Sequence, residues 1–271
     1  MKIRTLLKKL LVTPDVEDIL QKIPKDVGSF GYDPWGFNWD SAMIGLGLFK
    51  KIYDHYFRVE AYGLEHVPPK GRVLIIANHS GQIPFDGALI GTAVATNPGG
   101  PRAARAMIER FFPTVPFLGN LLNEVGGVIG DPVNCVRMIR REEAVIVFPE
   151  GVRGSGKLYK KRYQLQRFGN GFMHIAMTEH APIVPVGVVG CEETMPSLAN
   201  IKPLADLLAV PYVPVTVPFP LPAKVILNFG EPMIFSGDID SEEGVTQRVE
   251  MVKDAIRKLI EKGLSQRKGV F

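Results

Sequence analysis

After residue 57 the chain alternates short apolar runs with stretches of helical periodicity, and this pattern most constrains its fold. The runs are rich in Val and Ile, as strands are, and the segments between them are long enough for helices. Such an alternation is typical of an α/β sheet with helices packed on it. The runs at 72–77 and 144–148 are almost wholly apolar, which predicts central strands buried on both faces. The runs lie at 57–62, 72–77, 144–148, 183–189 and 224–229.

Composition excludes several classes of protein. Hydrophobic residues make up 46% of the chain and charged residues 22%, which is the balance of a folded globular protein and not of a disordered one. The two cysteines, Cys135 and Cys191, form no CxxC or Cys/His cluster, so neither a disulfide framework nor a zinc site is indicated. No uninterrupted apolar stretch approaches the roughly 18 to 20 residues that a spanning helix needs. If the protein meets a membrane, we expect it to lie on the surface.

The first residues predict a basic amphipathic helix. Between residues 2 and 11 the apolar side chains recur at helical spacing, and Lys2, Arg4, Lys8 and Lys9 add four positive charges with no acid. Such a helix can lie in a lipid interface with its lysines near anionic head groups. The alternative is a terminal helix docked on its own domain. We predict a helical, membrane-associating segment at 1–56, followed by the main domain at 57–271.

A second unusual segment, residues 203–222, combines six prolines with an apolar sequence. Proline at this density excludes a long helix or a central strand. The segment therefore either folds over the core or faces lipid or an acyl chain.

One candidate site follows the apolar run at 72–77. The segment from Asn78 to Asp86 places His79 at the end of a predicted strand, and strand ends in α/β sheets open onto the crevice where ligands bind. A neutral imidazole there can accept a proton from a hydroxyl, and a carboxylate on its other nitrogen fixes the tautomer. Asp86 is the nearest carboxylate on the carboxyl-terminal side. A histidine whose role is only structural is the alternative.

A second candidate site, Phe148 to Arg153, follows the run at 144–148. Gly151 allows the backbone to approach a ligand closely, and Arg153 can bind phosphate or carboxylate through two nitrogens. From residue 153 to residue 167 the chain has six basic residues and no acid, which suits a phosphorylated substrate, a nucleotide-bearing donor or an anionic bilayer. A solvated basic face is the alternative. No nucleic-acid partner is expected, because no aromatic-interleaved or recognition-helix pattern is present.

Together the two sites resemble the motifs of the lysophospholipid acyltransferase family, which includes 1-acylglycerol-3-phosphate and glycerol-3-phosphate acyltransferases. Asn78-His79 through Asp86 is similar to the family's Asn-His-x4-Asp motif. Phe148 to Arg153 is similar to its Phe-Pro-Glu-Gly-Thr-Arg motif, with Val152 in place of Thr. The resemblance covers roughly residues 57 to 235.

Two departures from the family pattern affect the prediction. Six residues separate His79 from Asp86 where the common motif has four, and the fifth residue after His79 is Pro84, which has no carboxylate. Gly81 and Pro84 favour a re-routed turn that presents Asp86, so we expect the pair to form. The family's arginine-bearing block would fall at 126–132, which contains no arginine. A neutral acceptor, such as a diacylglycerol, another lipid alcohol or an amine-bearing lipid, is therefore expected beside lysophosphatidate.

The resemblance implies a mixed, mainly parallel sheet flanked by helices, and an acyltransferase that moves a fatty acyl group from acyl-CoA or acyl-carrier protein to a lipid hydroxyl. It also implies direct transfer without a covalent enzyme intermediate, a cofactor or a metal. His79 is then the general base, and Asp86 holds it. The predicted substrate-binding residues are Glu150, Gly151, Val152 and Arg153. Membrane lipids are the expected partners, and the expected location is peripheral, on the cytoplasmic side of a membrane.

Two rival functions stay open. A thioesterase would consume the donor alone, but no Gly-x-Ser-x-Gly elbow is present. A catalytically silent lipid-binding protein is the other rival, and the unusual spacing of His79 and Asp86 is its best support.

Overall fold

A computed structural model describes residues 2–24, 27–112, 118–208 and 210–271, with side chains from Arg4 onward. The side chains of Lys2 and Ile3, which belong to the predicted amphipathic helix, and Ala209 of the proline-rich segment lie outside the described residues. The strands are β1 (Glu60–Tyr62), β2 (Val73–Ala77), β3 (Ala104–Ile108), β4 (Gly127–Ile129), β5 (Ala144–Val147), β6 (Ile183–Val189), β7 (Ala199–Asn200), β8 (Pro214–Val215) and β9 (Ile226–Phe229). The helices are α1 (Lys2–Leu11), α2 (Pro14–Lys22), α3 (Trp39–Lys51), α4 (Phe85–Ala95), α5 (Leu118–Glu124), α6 (Pro132–Arg140), α7 (Val152–Ser155), α8 (Gly171–Thr178), α9 (Cys191–Thr194), α10 (Lys202–Leu208) and α11 (Glu242–Gln266).

A seven-stranded sheet with the order β1-β9-β6-β2-β5-β3-β4 forms the centre of the molecule. Neighbouring strands run parallel except β6 and β9, which are antiparallel. The predicted mixed, mainly parallel sheet flanked by helices is therefore confirmed. Because β2, β5 and β3 are parallel neighbours, the segments that follow them meet at one edge of the sheet.

The core lies on both faces of β2, whose five residues are all buried. Leu74 and Ile76 pack on one face with residues of α6, α8 and α11. Val73 and Ile75 pack on the other face with residues of α4. This alternation confirms the prediction that the run at 72–77 forms a central strand covered on both sides.

Helix α11 runs from Glu242 to Gln266 and packs one face on the sheet. Ser241 caps its start by accepting a hydrogen bond from the amide of Gly244 at 3.1 Å. One stripe of the helix is buried against the sheet, and each such side chain contributes about 1.5 to 3 kcal/mol through burial. The stripe consists of Val245, Val249, Val252, Ile256 and Ile260.

The N-terminal helix α1 docks on the rest of the chain through its polar residues. Arg4 pairs with Glu124 of α5 at 3.0 Å, and Lys8 pairs with Asp40 of α3 at 3.3 Å. Leu6 and Leu10 nevertheless remain 66% and 67% exposed. The helix is therefore docked on its own domain and still presents leucines to the outside, and its contact with a lipid interface stays a prediction. A domain division after residue 56 stays a prediction.

The proline-rich segment forms only short elements, as its prolines predict: α10, and β8 paired with β7. Ala205 of α10 is buried, whereas Leu204, Leu207 and Leu208 on the same helix are exposed. These three leucines are spaced three and four residues apart, so they share one outward face of the helix. The segment therefore does not bury all of its apolar side chains in the core.

Candidate active site

The end of β2 is held by the side chain of Asn78. Its Nδ2 donates to the carbonyl of Val188 at 3.0 Å, and its Oδ1 accepts from the amide of Val188 at 2.8 Å. The side chain thus continues the pairing of β2 with β6 after the strand itself has ended. As a result, the chain turns away from the sheet at His79, the next residue.

His79 and Asp86 are brought together. The Nδ1 atom of His79 lies 2.7 Å from Oδ2 of Asp86, and the Asp86 side chain is completely buried. The amides of Ser80 and Gly87 also donate to this carboxylate, each at 2.8 Å. Asp86 therefore lies in the first turn of α4 and accepts hydrogen bonds from one ring nitrogen and two backbone amides.

The longer spacing between the two residues is absorbed by a turn. Gly81 has φ of 90°, and a Cβ there would lie 2.8 Å from the Cys191 carbonyl oxygen. Only glycine adopts this conformation in such close contact without strain. Pro84 then immediately precedes α4, which carries Asp86 in its first turn. The expected re-routed turn is therefore present, and it forms the His79–Asp86 hydrogen bond that the sequence predicted.

The imidazole of His79 is oriented by two contacts. Its ring stacks on Phe148 with centroids 4.4 Å apart, and Nδ1 faces Asp86. Because the carboxylate accepts from Nδ1–H, the neutral ring keeps a lone pair on Nε2. Burial lowers the pKa of His79, but the Asp86 carboxylate, aided by Glu150 and Glu109, more than offsets this and raises it above its ordinary value.

Glu150 joins the two sequence motifs instead of facing outward. Its side chain is completely buried, Oε1 accepts from the amide of His79 at 3.0 Å, and Oε2 accepts from the amide of Gln166 at 2.7 Å. Both oxygens therefore bind the backbone of the protein. This differs from the substrate contact expected from the sequence, which does not reveal that a residue 71 positions away supplies the partner amide.

The segment from Gly151 onward packs tightly against His79. Gly151 has φ of 56° and precedes the short helix α7, and its own amide donates to the Phe148 carbonyl at 3.0 Å. A Cβ on Gly154 would lie 2.8 Å from the Cβ of His79, so only glycine fits there. Among the described residues, the amides of Val152 and Arg153 have no backbone acceptor. The Gly151 amide is therefore already bonded within its own turn, whereas the amides of Val152 and Arg153 at the start of α7 are not bonded to the backbone.

The basic run at 153–167 divides into two parts. Lys157 is buried, with Nζ 2.7 Å from Glu192 Oε1 and 4.0 Å from Glu150 Oε2. Burial raises the pKa of Glu192, and the Lys157 ammonium opposes this shift. The exposed part includes Arg153, which donates to the Arg167 carbonyl at 3.2 Å. The exposed basic side chains are Arg153, Lys160, Lys161, Arg162 and Arg167.

Glu109 also lies at the site, although the sequence did not single it out. It directly follows β3, and its Oε1 lies 3.0 Å from the position that a Cβ on Gly151 would occupy. Strand β3 escaped prediction because it carries Arg105, which is buried between Asp33 at 2.6 Å and Glu143 at 2.5 Å. Glu109 could have been predicted as a site residue only if β3 had been recognised, because it then follows the carboxyl end of a strand parallel to β5.

In the described ranges of the chain, no helix combines the length and apolar character needed to span a bilayer. The same ranges contain no cluster of three or more His, Cys, Asp or Glu side chains arranged to hold a metal ion.

The sequence matches a family model, and the fold matches a solved structure, both of acyltransferases. The family model described as Acyltransferase matches residues 58–189, which include His79, Asp86 and the segment 148–153. The fold is similar to the crystal structure of the 1-acyl-sn-glycerophosphate (LPA) acyltransferase PlsC from Thermotoga maritima, with a TM-score of 0.55 and 18% sequence identity. That likeness covers 98% of this chain and 97% of the other.

Among curated proteins, an uncharacterised protein of Mycobacterium tuberculosis is 34% identical over 259 residues, covering 90% of this chain and 71% of the relative. A human protein named "DGAT1/2-independent enzyme synthesizing storage lipids" is 27% identical over 234 residues, covering 83% of this chain and 68% of the relative. The fold and the family match together define an acyltransferase of lipid metabolism. This chain belongs to the lysophospholipid acyltransferase family.

Proposed function

We propose that this protein transfers a fatty acyl group from acyl-CoA or acyl-carrier protein to the hydroxyl of a glycerolipid or related lipid at a membrane surface. The observation that carries the proposal is the 2.7 Å contact between His79 Nδ1 and Asp86 Oδ2 at the end of β2. This contact leaves Nε2 of His79 as the proton acceptor. No cofactor or metal is part of the proposal.

The reaction needs one base. Nε2 of His79 takes the proton of the acceptor hydroxyl as its oxygen attacks the thioester carbonyl, and Asp86 stabilises the imidazolium that forms. The tetrahedral intermediate then collapses, the carbon–sulfur bond breaks, and the leaving thiolate receives the proton from His79. A new ester and a free thiol result, and no bond to the enzyme is formed.

The amides of Val152 and Arg153 are the proposed donors to the oxyanion, since both point out of the first turn of α7 without a backbone acceptor among the described residues. Preorganised amide donors of this kind stabilise developing negative charge by about 3 to 4 kcal/mol in other enzymes. Glu150 is proposed as a positioning residue. It binds the amides of His79 and Gln166 and so holds the segment after β2 and the segment before α8 together.

The exposed basic side chains are proposed to bind the phosphates of the donor. Arg153 is in α7, directly after the Phe148–Gly151 segment that packs on His79. Lys160, Lys161 and Arg162 follow within ten residues. Acyl-CoA carries nucleotide and pyrophosphate groups, and acyl-carrier protein carries a phosphopantetheine, so either donor offers anions to this surface. Lys157 is excluded from this role because it is buried against Glu192.

Two exposed apolar surfaces support the proposed membrane contact. Helix α1 presents Leu6 and Leu10 beside its lysines, and α10 presents Leu207, which is 79% exposed. Apolar side chains next to basic ones suit a bilayer with anionic head groups. We propose peripheral attachment on the cytoplasmic side of a membrane.

The test is consumption of labelled oleoyl-CoA with and without acceptor lipids, read by mass spectrometry. We expect a new acylated lipid that appears only when donor and acceptor are both present. Hydrolysis of the donor without acceptor would instead identify a thioesterase, and no consumption with any acceptor would identify a lipid-binding protein. The acceptor panel includes lysophosphatidate, after which the Thermotoga enzyme is named, and diacylglycerol, a precursor of storage lipids.

A further inference from the structure

The carboxylate of Glu109 lies at the same sheet edge as the His79–Asp86 pair. A Cβ on Gly151 would be 3.0 Å from Glu109 Oε1, so this oxygen is next to the loop that carries the proposed oxyanion donors. Glu109 is partly buried and also raises the pKa of His79 through its charge. It therefore places a negative charge close to the reacting atoms.

No cation in the described parts of the chain forms a salt bridge with Glu109. Arg153, two residues after Gly151, is exposed and donates to the Arg167 carbonyl. Arg110, the next residue, pairs with Asp131 at 3.0 Å and has a mostly exposed side chain. Arg105 is held by Asp33 and Glu143, and Lys157 is held by Glu192.

The loop after β4 supplies no positive charge to the site either. Asp131 caps α6 by accepting from the amide of Val133 at 2.9 Å, and Pro132 occupies the first position of that helix. The groups facing His79 are therefore the carboxylates of Asp86, Glu150 and Glu109. The surroundings of His79 are acidic, whereas the exposed basic side chains of this region lie on the segment 153–167.

We propose that Glu109 makes this protein select an uncharged lipid alcohol, of the diacylglycerol class, over an acceptor with a phosphate monoester. The inference rests on the proposed function of the site. A phosphate monoester carries about −1.5 to −2 charges at neutral pH. Its approach to a partly buried carboxylate is repulsive, while a neutral hydroxyl experiences no such penalty.

The experiment measures kcat/KM for two acceptors, 1,2-dioleoylglycerol and 1-oleoyl lysophosphatidate, with oleoyl-CoA as donor and both acceptors in the same neutral detergent micelles. The wild-type protein should prefer the neutral acceptor by about tenfold or more. Glu109→Gln keeps the shape of the side chain and removes its charge, so it should shift the ratio toward lysophosphatidate by about tenfold. Glu109→Ala provides a second variant, and circular dichroism verifies that each variant is folded.

Glu261→Gln is the matched control, because Glu261 is exposed on α11 and the substitution changes net charge equally. Its acceptor ratio should equal that of the wild type. A wild-type preference for lysophosphatidate, or an unchanged ratio in both folded Glu109 variants, overturns the inference while leaving acyl transfer established. Absence of transfer to both acceptors overturns the proposed function and the inference together.

Discussion

The Nδ1 atom of His79 lies 2.7 Å from Oδ2 of Asp86, although six residues separate the two in the chain and the common motif of the family has four. The turn at Gly81 and the start of α4 at Phe85 produce this contact. The longer spacing therefore preserves the pairing of imidazole and carboxylate on which the proposed chemistry depends.

His79→Ala should lower the transfer rate by about 10² to 10⁴-fold, the usual contribution of a general base. The fold should persist, because the histidine lies at a strand end and not between core helices. The measurement is initial rate together with thermal unfolding. His174→Ala is the matched control, since His174 is exposed on α8, and it should leave the rate unchanged. Normal turnover in a folded His79→Ala protein would exclude the proposed mechanism.

Asp86→Asn should reduce kcat severely, because an amide can offer an N–H to Nδ1 and favour the wrong tautomer of the imidazole. With the asparagine nitrogen toward His79, the Gly87 amide keeps its oxygen acceptor and the Ser80 amide loses its own, so thermal unfolding is measured beside the rate. The variant is compared with His79→Ala and with the double variant by single-turnover kinetics. If the pair acts as a unit, the double variant should be scarcely slower than His79→Ala alone. Near-normal turnover in Asp86→Asn would show that His79 acts without it.

The pH dependence should report the environment of His79. The neutral imidazole is the active form, so kcat/KM should rise with pH through the pKa of His79 and level off above it. Because Asp86, Glu150 and Glu109 raise that pKa above its ordinary value, the midpoint should lie above about 6.5. Glu109→Gln removes one of these negative charges and should move the midpoint to lower pH. An identical profile in the variant would mean that Glu109 does not act on His79.

Arg153→Ala should raise the KM for acyl-CoA by about threefold to tenfold, a modest effect because the side chain is exposed. Arg153→Lys should raise it less, since lysine keeps the charge but loses the planar pair of donors. Arg257→Ala on α11 serves as the control for loss of an arginine. If all substrates give wild-type kinetics with both Arg153 variants, Arg153 belongs only to the solvated basic face.

Replacing Leu6 and Leu10 together with glutamate should weaken sedimentation with anionic liposomes and make the remaining binding more sensitive to salt. Transfer to an acceptor in a bilayer should fall more than transfer to the same acceptor in detergent. Met251→Glu places a charge on another exposed apolar position, on α11, and this variant should bind liposomes as the wild type does. Equal binding by all three proteins at every salt concentration would mean that α1 only packs on the domain.

The sequence predicts those parts of the fold in which local pattern and burial agree. Strands β2, β5 and β6 are apolar because helices cover both faces, and their positions were predicted to within a residue or two. Strand β3 was missed because Arg105 is neutralised by Asp33 and Glu143, which lie far away in the chain.

The site shows the same division between local and distant contacts. Asp86 was found as the partner of His79 because it is close in sequence and its turn is marked by Gly81 and Pro84. The inward position of Glu150 depends on amides from two other segments, and the position of Glu109 depends on strand order. Neither of these long-range relationships leaves a local pattern in the chain.

The buried carboxylate of Glu150 has a consequence for how mutations at this site are interpreted. Since Glu150 binds the amides of both His79 and Gln166, its replacement would displace the base without removing any group that meets the substrate. A loss of turnover in Glu150→Gln would thus resemble that of a catalytic variant in a simple assay. Only a lowered thermal unfolding temperature alongside the lost rate would reveal that the carboxylate holds two loops in register.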